Sequence, residues 1–179
     1  AACPENAIRE METGLCTDPD KCLQCGSCTD VCLAEACEMA GRELTVSQVM
    51  AEIEKDTAFY DESAGGVTFS GGEPLAQPDF LFALLKACKD RQMHTVLDTS
   101  GFSTWRVLEL IRHHVDEFLF DLKLMDDSKH VEYTGVSNEM ALKNLETIAL
   151  AGKSVIIRFP FIPGITDGPD NLEAIARMM

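Results

Sequence analysis

From about residue 65 onward, short apolar runs alternate with longer amphipathic ones. Residues 67–70 (VTFS), 94–98 (HTVLD), 118–121 (FLFD) and 154–159 (SVIIRF) are rich in β-branched and aromatic side chains and predict strands. Each is followed by a segment whose apolar positions recur at helical spacing. Pro78 suits a first helical position, and residues 80–91 continue the pattern. Ser103 is the expected cap of a helix carrying Val107, Leu108 and Ile111. Ser137 is the expected cap of one carrying Met140, Leu145, Ile148 and Ala149, ended by Gly152, and a last helix begins near Pro169. Ahead of the first strand, residues 45–48 (TVSQ) read as a capping box for a helix with Val46, Val49, Met50 and Ile53 on one face. Strands alternating with helices predict an α/β fold with a parallel sheet, either doubly wound or part of a barrel.

Residues 1–44 break this pattern. They hold few large apolar side chains and little periodicity, so this segment needs a staple in place of a core. The boundary near residues 41–44 divides the chain into a small domain, 1–44, and a larger one, 45–179. Seven of the 8 cysteines fall in the first part: Cys3, Cys16, Cys22, Cys25, Cys28, Cys32 and Cys37. Nothing resembles a secretory signal, and a disulfide knot followed by a long cysteine-poor domain would be unusual, so metal is the better reading.

The run Cys22, Cys25, Cys28, Cys32 has the spacing C-x2-C-x2-C-x3-C of ferredoxin clusters, in which the fourth cysteine reaches a different cluster. Cys3-Pro4 then reads as the end of an earlier copy of that run. One [4Fe–4S] cluster would be complete on Cys22, Cys25, Cys28 and Cys3, and the other would keep Cys32. Two alternatives stay open: Cys16 in place of Cys3, and a zinc site in place of iron–sulfur. Cys16 and Cys37 are otherwise read as free thiols, and Cys88, beside Leu84 and Leu85, as core.

Composition narrows the function classes. A net charge of −15 over 179 residues, with acids outnumbering bases throughout, disfavours a phosphate backbone as partner and suits a soluble cytoplasmic surface. An apolar fraction of 46% fits a globular chain, and no run approaches the roughly 18 residues that would span a bilayer.

The ends of the four strands carry a second constellation. Ser70-Gly71-Gly72-Glu73-Pro74 follows the first, and Asp98-Thr99-Ser100-Gly101 closes the second. Asp121-Leu122-Lys123 closes the third, and Arg158 stands near the end of the fourth. Parallel α/β folds build their sites at these carboxyl ends. Gly71 and Gly72 permit close approach of a ligand to the backbone. Glu73 could accept from an ammonium, while Lys123 and Arg158 could hold a carboxylate. Asp98 and Asp121 could support a cation or a ribose hydroxyl. Singly, each has a blander reading: Asp98, Thr99 and Ser100 as turn caps, Lys123 as the partner of Asp121. There is no Walker loop, GxSxG elbow or HExxH. His113 and His114 read as solvated residues at a helix end, or as favourable to the helix dipole, rather than as metal ligands; the sequence shows no partner for His94 or His130, and Trp105 reads as packing.

These stretches closely resemble the glycyl-radical enzyme activating enzymes, pyruvate formate-lyase activating enzyme-like members of the radical S-adenosylmethionine superfamily. The likeness is carried by residues 41–45 (GRELT), 59–60 (FY), 65–74 (GGVTFSGGEP), 97–99 (LDT), 120–123 (FDLK), 134–138 (TGVSN), 157–158 (IR) and 163–164 (PG). The cysteine runs mark the subgroup with a ferredoxin insert. Ala64 stands where the family has Gly, and Leu33 where it has Pro. The resemblance implies a partial (β/α)6 barrel, strands about 2–5, with a truncated ferredoxin-like segment before it. It implies that Gly71, Gly72 and Glu73 orient the amino group of S-adenosylmethionine and that Lys123 and Arg158 hold its carboxylate. Asp98, Thr99 and Asp121 would line the same pocket, with the aspartates as candidates for a monovalent cation. Reductive cleavage of the cofactor to a 5′-deoxyadenosyl radical would remove hydrogen from a glycine of a partner enzyme. A flavodoxin or ferredoxin-type donor would supply electrons.

The family's catalytic C-x3-C-x2-C run is not found in these residues, so the chain is expected to be an internal, inactive fragment of such an enzyme. The competing reading is an electron-transfer ferredoxin module fused to a ligand-binding α/β domain without radical chemistry.

Overall fold

The computed structural model describes residues 2–12, 14–39 and 41–178. The chain divides into two compact units, Ala1–Leu44 and Thr45–Met179. In the first, strands β1 (Ile8–Met11) and β2 (Gly14–Thr17) form an antiparallel hairpin with Arg9 opposite Cys16, and a single turn, α1 (Ser27–Asp30), follows. The hydrophobic pattern does not predict this hairpin. Its strands are four residues long and almost wholly exposed, so they carry no apolar alternation. Ala7 is the one fully buried apolar residue described in this unit.

The second unit opens with α2 (Val46–Ile53). Its capping box is present: the Gln48 amide donates to Thr45 Oγ1 and the Thr45 amide to Gln48 Oε1. After a 3-10 turn comes α3 (Thr57–Ser63), closed by Ala64 in the left-handed region at φ 54. Four strand–helix repeats follow: β3 (Gly66–Phe69) and α4 (Pro78–Asp90); β4 (His94–Thr99) and α5 (Trp105–Ile111); β5 (Glu117–Asp121) with α6 (Asp127–Thr134) and α7 (Glu139–Leu150); β6 (Ser154–Arg158) and α8 (Pro169–Met178). All pairings are parallel, in the order β3-β4-β5-β6. Doubly wound sheets reverse strand order at a switch point; this sheet does not, as befits part of a barrel wall.

Two expected caps are corrected. The N-cap of α5 is Thr104 rather than Ser103, and it makes no side-chain capping bond. The N-cap of α7 is Asn138, although Ser137 Oγ still accepts from the Glu139 amide at 3.2 Å. Helices α3 and α6 escape the periodicity because neither buries a residue.

Strand alternation sorts the side chains. Thr95, Leu97 and Thr99 of β4 and Phe118 and Phe120 of β5 are buried, in one core with Leu85 of α4, Leu108 and Ile111 of α5 and Ile148 of α7. Cys88 lies in this core, its thiol pKa raised by burial. The opposite face is less covered and carries Asp98, Asp121 and Arg158.

At the amino ends of the strands, Asp116 accepts from the amide (2.7 Å) and hydroxyl (3.0 Å) of Thr95 and pairs with Lys89. Burial opposes its charge, yet Lys89 and Thr95 together hold its pKa below the ordinary carboxylate value. His114 is no solvated helix-end charge: its ring packs edge-on against Phe82 at 5.2 Å, and burial lowers its pKa.

Candidate functional site

In the first unit, Cys3, Cys22, Cys25 and Cys28 all line one cavity of about 40 Å³. Gly26, in the left-handed region at φ 78, is the N-cap of α1 between Cys25 and Cys28. Cys3 Sγ accepts from the Ala7 amide at 3.2 Å, and Cys32 Sγ from the Ala36 amide at 3.2 Å. Bonds of this kind favour thiolate ligands. Cys32 and Cys37 border a neighbouring cavity that Cys3 and Cys28 also reach, whereas Cys16 lines neither. The Ser27 hydroxyl lowers the pKa of Cys25, and the amides of Cys37 and Ala36 lower that of Cys32. Burial, then the nearby Cys32 thiol, raises that of Cys37. Among the described residues no group of three or more His, Cys, Asp or Glu side chains is drawn together tightly enough to hold a metal ion.

In the second unit, the carboxyl ends of the strands meet in a hydrogen-bonded rim. Glu73 is its hub. Its Oε1 accepts from the Thr99 hydroxyl (2.7 Å) and the Leu75 amide (3.1 Å); its Oε2 accepts from the Ser100 hydroxyl (2.6 Å) and amide (3.0 Å). A carboxylate has about four lone-pair sites, so the chain's own donors fill them. Glu73 therefore fixes the Gly71–Gly72 loop to the end of β4. Alanine Cβ atoms at Gly71 and Gly72 would meet nothing within 4 Å, which leaves that backbone open to a ligand.

On the open face, Arg158 lies directly opposite Asp121 in the sheet register. Its Nε and Nη2 donate to Asp121 Oδ1 (3.1 and 3.0 Å), and Nη2 also reaches Asp98 Oδ1 at 2.5 Å. Ser70 Oγ donates to Asp98 Oδ2 at 3.0 Å. Asp121, then Asp98, raises the arginine's pKa further. The blander alternative, a Lys123–Asp121 pair, is not what forms; β6 delivers Arg158 to Asp121 instead. Among the described residues Lys123 has no acidic partner. It lines a cavity of about 200 Å³ together with Ser100, Phe102, Asp121 and His130. His130 is not partnerless, since its Nδ1 lies 2.7 Å from the Val136 carbonyl and 3.0 Å from the Thr134 hydroxyl.

The rim thus brings Gly71, Gly72, Glu73, Asp98, Thr99, Asp121, Lys123 and Arg158 to the ends of four adjacent strands. Three buried or half-buried asparagines hold its loops; of these only Asn138 falls in a stretch singled out in the sequence, and there for the resemblance rather than for a role. Asn138 donates to the carbonyls of Leu124 and Met125, Asn144 to those of Gly101 and Ser103, and Asn171 to those of Lys123 and Thr166. The available signal was a polar residue on the apolar stripe of a helix, as Asn144 is between Ala141 and Ile148.

The family model of the Radical SAM superfamily matches residues 21–179. The chain belongs to that superfamily. Membership implies S-adenosylmethionine and a [4Fe–4S] cluster, and the parallel sheet is part of the superfamily's (β/α) fold. Over 172 residues, 96% of this chain, it is 42% identical to the trans-4-hydroxy-L-proline dehydratase activating enzyme of Clostridioides difficile, and it covers 57% of that protein. It is 38% identical to an isethionate sulfite-lyase activating enzyme of Oleidesulfovibrio alaskensis, over 98% of this chain and 58% of the relative. A solved domain of a pyruvate-formate lyase-activating enzyme from Bacteroides vulgatus superposes with a TM-score of 0.60 at 36% identity, covering 64% of this chain and 71% of that one. The chain therefore spans a little under three fifths of the curated relatives cited.

Proposed function

We propose that this chain is the cofactor-binding part of an activating enzyme for a glycyl-radical enzyme, with residues 1–44 as a truncated ferredoxin-like segment and 45–179 as part of the barrel. The observation that carries the reading is the rim: a glycine loop locked by Glu73, a lysine with no acidic partner among the described residues, an aspartate pair bridged by Arg158 and an open face, in a chain similar to activating enzymes along nearly its whole length. When bound and reduced, a [4Fe–4S] cluster supplies the electron that splits S-adenosylmethionine into methionine and the 5′-deoxyadenosyl radical that takes hydrogen from a glycine of the partner.

The residues here do the binding and orienting. The Gly71–Gly72 backbone would meet the ammonium group, and Lys123 and Arg158 Nη1, which makes no hydrogen bond among the described residues, would meet the carboxylate. Asp98 and Asp121 keep Arg158 in place and offer a seat for a monovalent cation. Cys3, Cys22, Cys25 and Cys28 would hold one electron-transfer cluster and Cys32 would serve a second. The donor is of flavodoxin or ferredoxin type, the setting cytoplasmic, and among the described residues no helix is long and apolar enough to cross a membrane. The chain alone, without a C-x3-C-x2-C run, is expected to bind cofactor and not to cleave it.

Anaerobic reconstitution with iron and sulfide tests the cluster assignment. Cys22→Ala should abolish the charge-transfer absorption and Cys16→Ala should leave it. Loss with Cys16→Ala and retention with Cys3→Ala would transfer the remote ligand to Cys16. Cleavage of S-adenosylmethionine by a longer polypeptide carrying the missing cysteine run tests the activity; inertness of that polypeptide under strong reduction would refute it.

A further inference from the structure

Asn144 sits on the core face of α7, 3% exposed, with the apolar Ala141, Leu145 and Ile148 as its buried neighbours on that helix. A primary amide in such a place loses its hydration and is tolerated only when bonded. Its Nδ2 donates to two carbonyls of the loop after β4: Gly101 at 2.8 Å and Ser103 at 2.7 Å. Neither bond holds α7 itself together. Both fix a loop more than forty residues away in sequence.

That loop leads to the hub of the rim. The Gly101 amide donates to Thr99 Oγ1 at 3.0 Å, and the Thr99 hydroxyl donates onward to Glu73. Ser100, one residue before Gly101, supplies the other two donors from this loop to Glu73. From below, Gly101 rests on the ring of Phe120 so closely that no side chain fits between them. Gly101 is therefore clamped between a buried ring and a buried amide. The donors that set Glu73, and with it the Gly71–Gly72 loop, hang from that clamp.

We propose that Asn144 is a positioning residue for the cofactor rim: without touching the ligand, it sets the Thr99–Ser100 donors that lock Glu73. For its bearing on cofactor affinity the inference rests on the reading given under Proposed function. Its bearing on the loop does not.

The test uses the full 179-residue chain. Asn144→Leu removes both donors at similar volume, and Asn144→Asp keeps the shape but turns an acceptor toward the two carbonyls. Ile148→Val, on the same helix and equally buried, supplies a loss of stability without a loss of clamp. Amide hydrogen exchange is read at Ser100, Gly101 and Leu75; Leu75 is informative because its amide reports the far side of Glu73. Affinity for S-adenosylmethionine is read by calorimetry.

Relative to Ile148→Val, Asn144→Leu should speed exchange at all three amides and weaken binding about tenfold, the scale of one or two lost hydrogen bonds. Exchange at Leu75 that matches Ile148→Val would overturn the proposal and reduce Asn144 to packing. If the unsubstituted chain binds no S-adenosylmethionine, the cofactor reading fails, and the exchange at Leu75 still decides the role of Asn144. If Asn144→Asp does not fold, Asn144→Leu carries the decision.

Discussion

Gly101→Ala should damage the second unit far more than an ordinary glycine substitution. Gly101 has φ 71, a conformation that costs an L-residue about 1–2 kcal/mol. A Cβ there would also stand 1.9 Å from Cζ of Phe120 and 2.7–2.8 Å from its two neighbouring ring carbons. Phe120 is fully buried, so its ring can retreat only by moving the core, an overpacking cost of about 1–3 kcal/mol. The two add to roughly 2–5 kcal/mol, or a fall in melting temperature of about 5–20 °C for a chain of this size. Gly152 is the comparison. Its φ is 72, yet a Cβ there would meet nothing within 4 Å, so Gly152→Ala bears only the backbone cost. Trp105 is the sole tryptophan and packs against the core of this unit, so its fluorescence during thermal or urea unfolding reads both variants. Equal losses for Gly101→Ala and Gly152→Ala would show that the contact with Phe120 is not as tight as the packing implies.

Two further substitutions probe the frame around the rim. Ala64 closes α3 in the left-handed region at φ 54, so Ala64→Gly should stabilise the unit by about 1 kcal/mol; an unchanged urea midpoint would contradict this. Asp116 has a depressed folded-state pKa, so its stabilising contribution is complete above its unfolded value near 4 and is lost as pH falls through the lower folded value. Asp116→Asn should therefore flatten the decline of unfolding free energy below about pH 4, and a decline identical to that of the unsubstituted chain would refute the role given to the Lys89–Asp116–Thr95 group.

What the sequence discloses and what it hides divide along physical lines. The Thr45 capping box, Pro78 at the start of α4 and the four strands are local or periodic features, and each is visible in neighbouring residues. The rim was legible because polar and glycine residues recur at four consecutive strand ends. Its internal wiring was not. Arg158 meets Asp121 because β6 pairs with β5 in one register, and no local pattern shows a register between strands 37 residues apart. The saturation of Glu73 by Thr99, Ser100 and Leu75 is likewise a property of converging loops. The asparagine clamps look like breaks in an apolar stripe until their carbonyl partners are known. Helices α3 and α6 and the β1–β2 hairpin bury almost nothing, so hydrophobic patterning had no signal to carry.

The claim that matters most is that the carboxyl rim of this sheet holds S-adenosylmethionine by its amino-acid end. Calorimetric titration of the chain and of Lys123→Ala with S-adenosylmethionine tests it directly. Lys123 pairs with no acidic residue among those described, so its removal should leave the melting temperature unchanged. It should also weaken binding about tenfold or more, the worth of a charged hydrogen bond. Absence of binding by the unsubstituted chain, or equal affinity in a folded Lys123→Ala variant, would contradict the account.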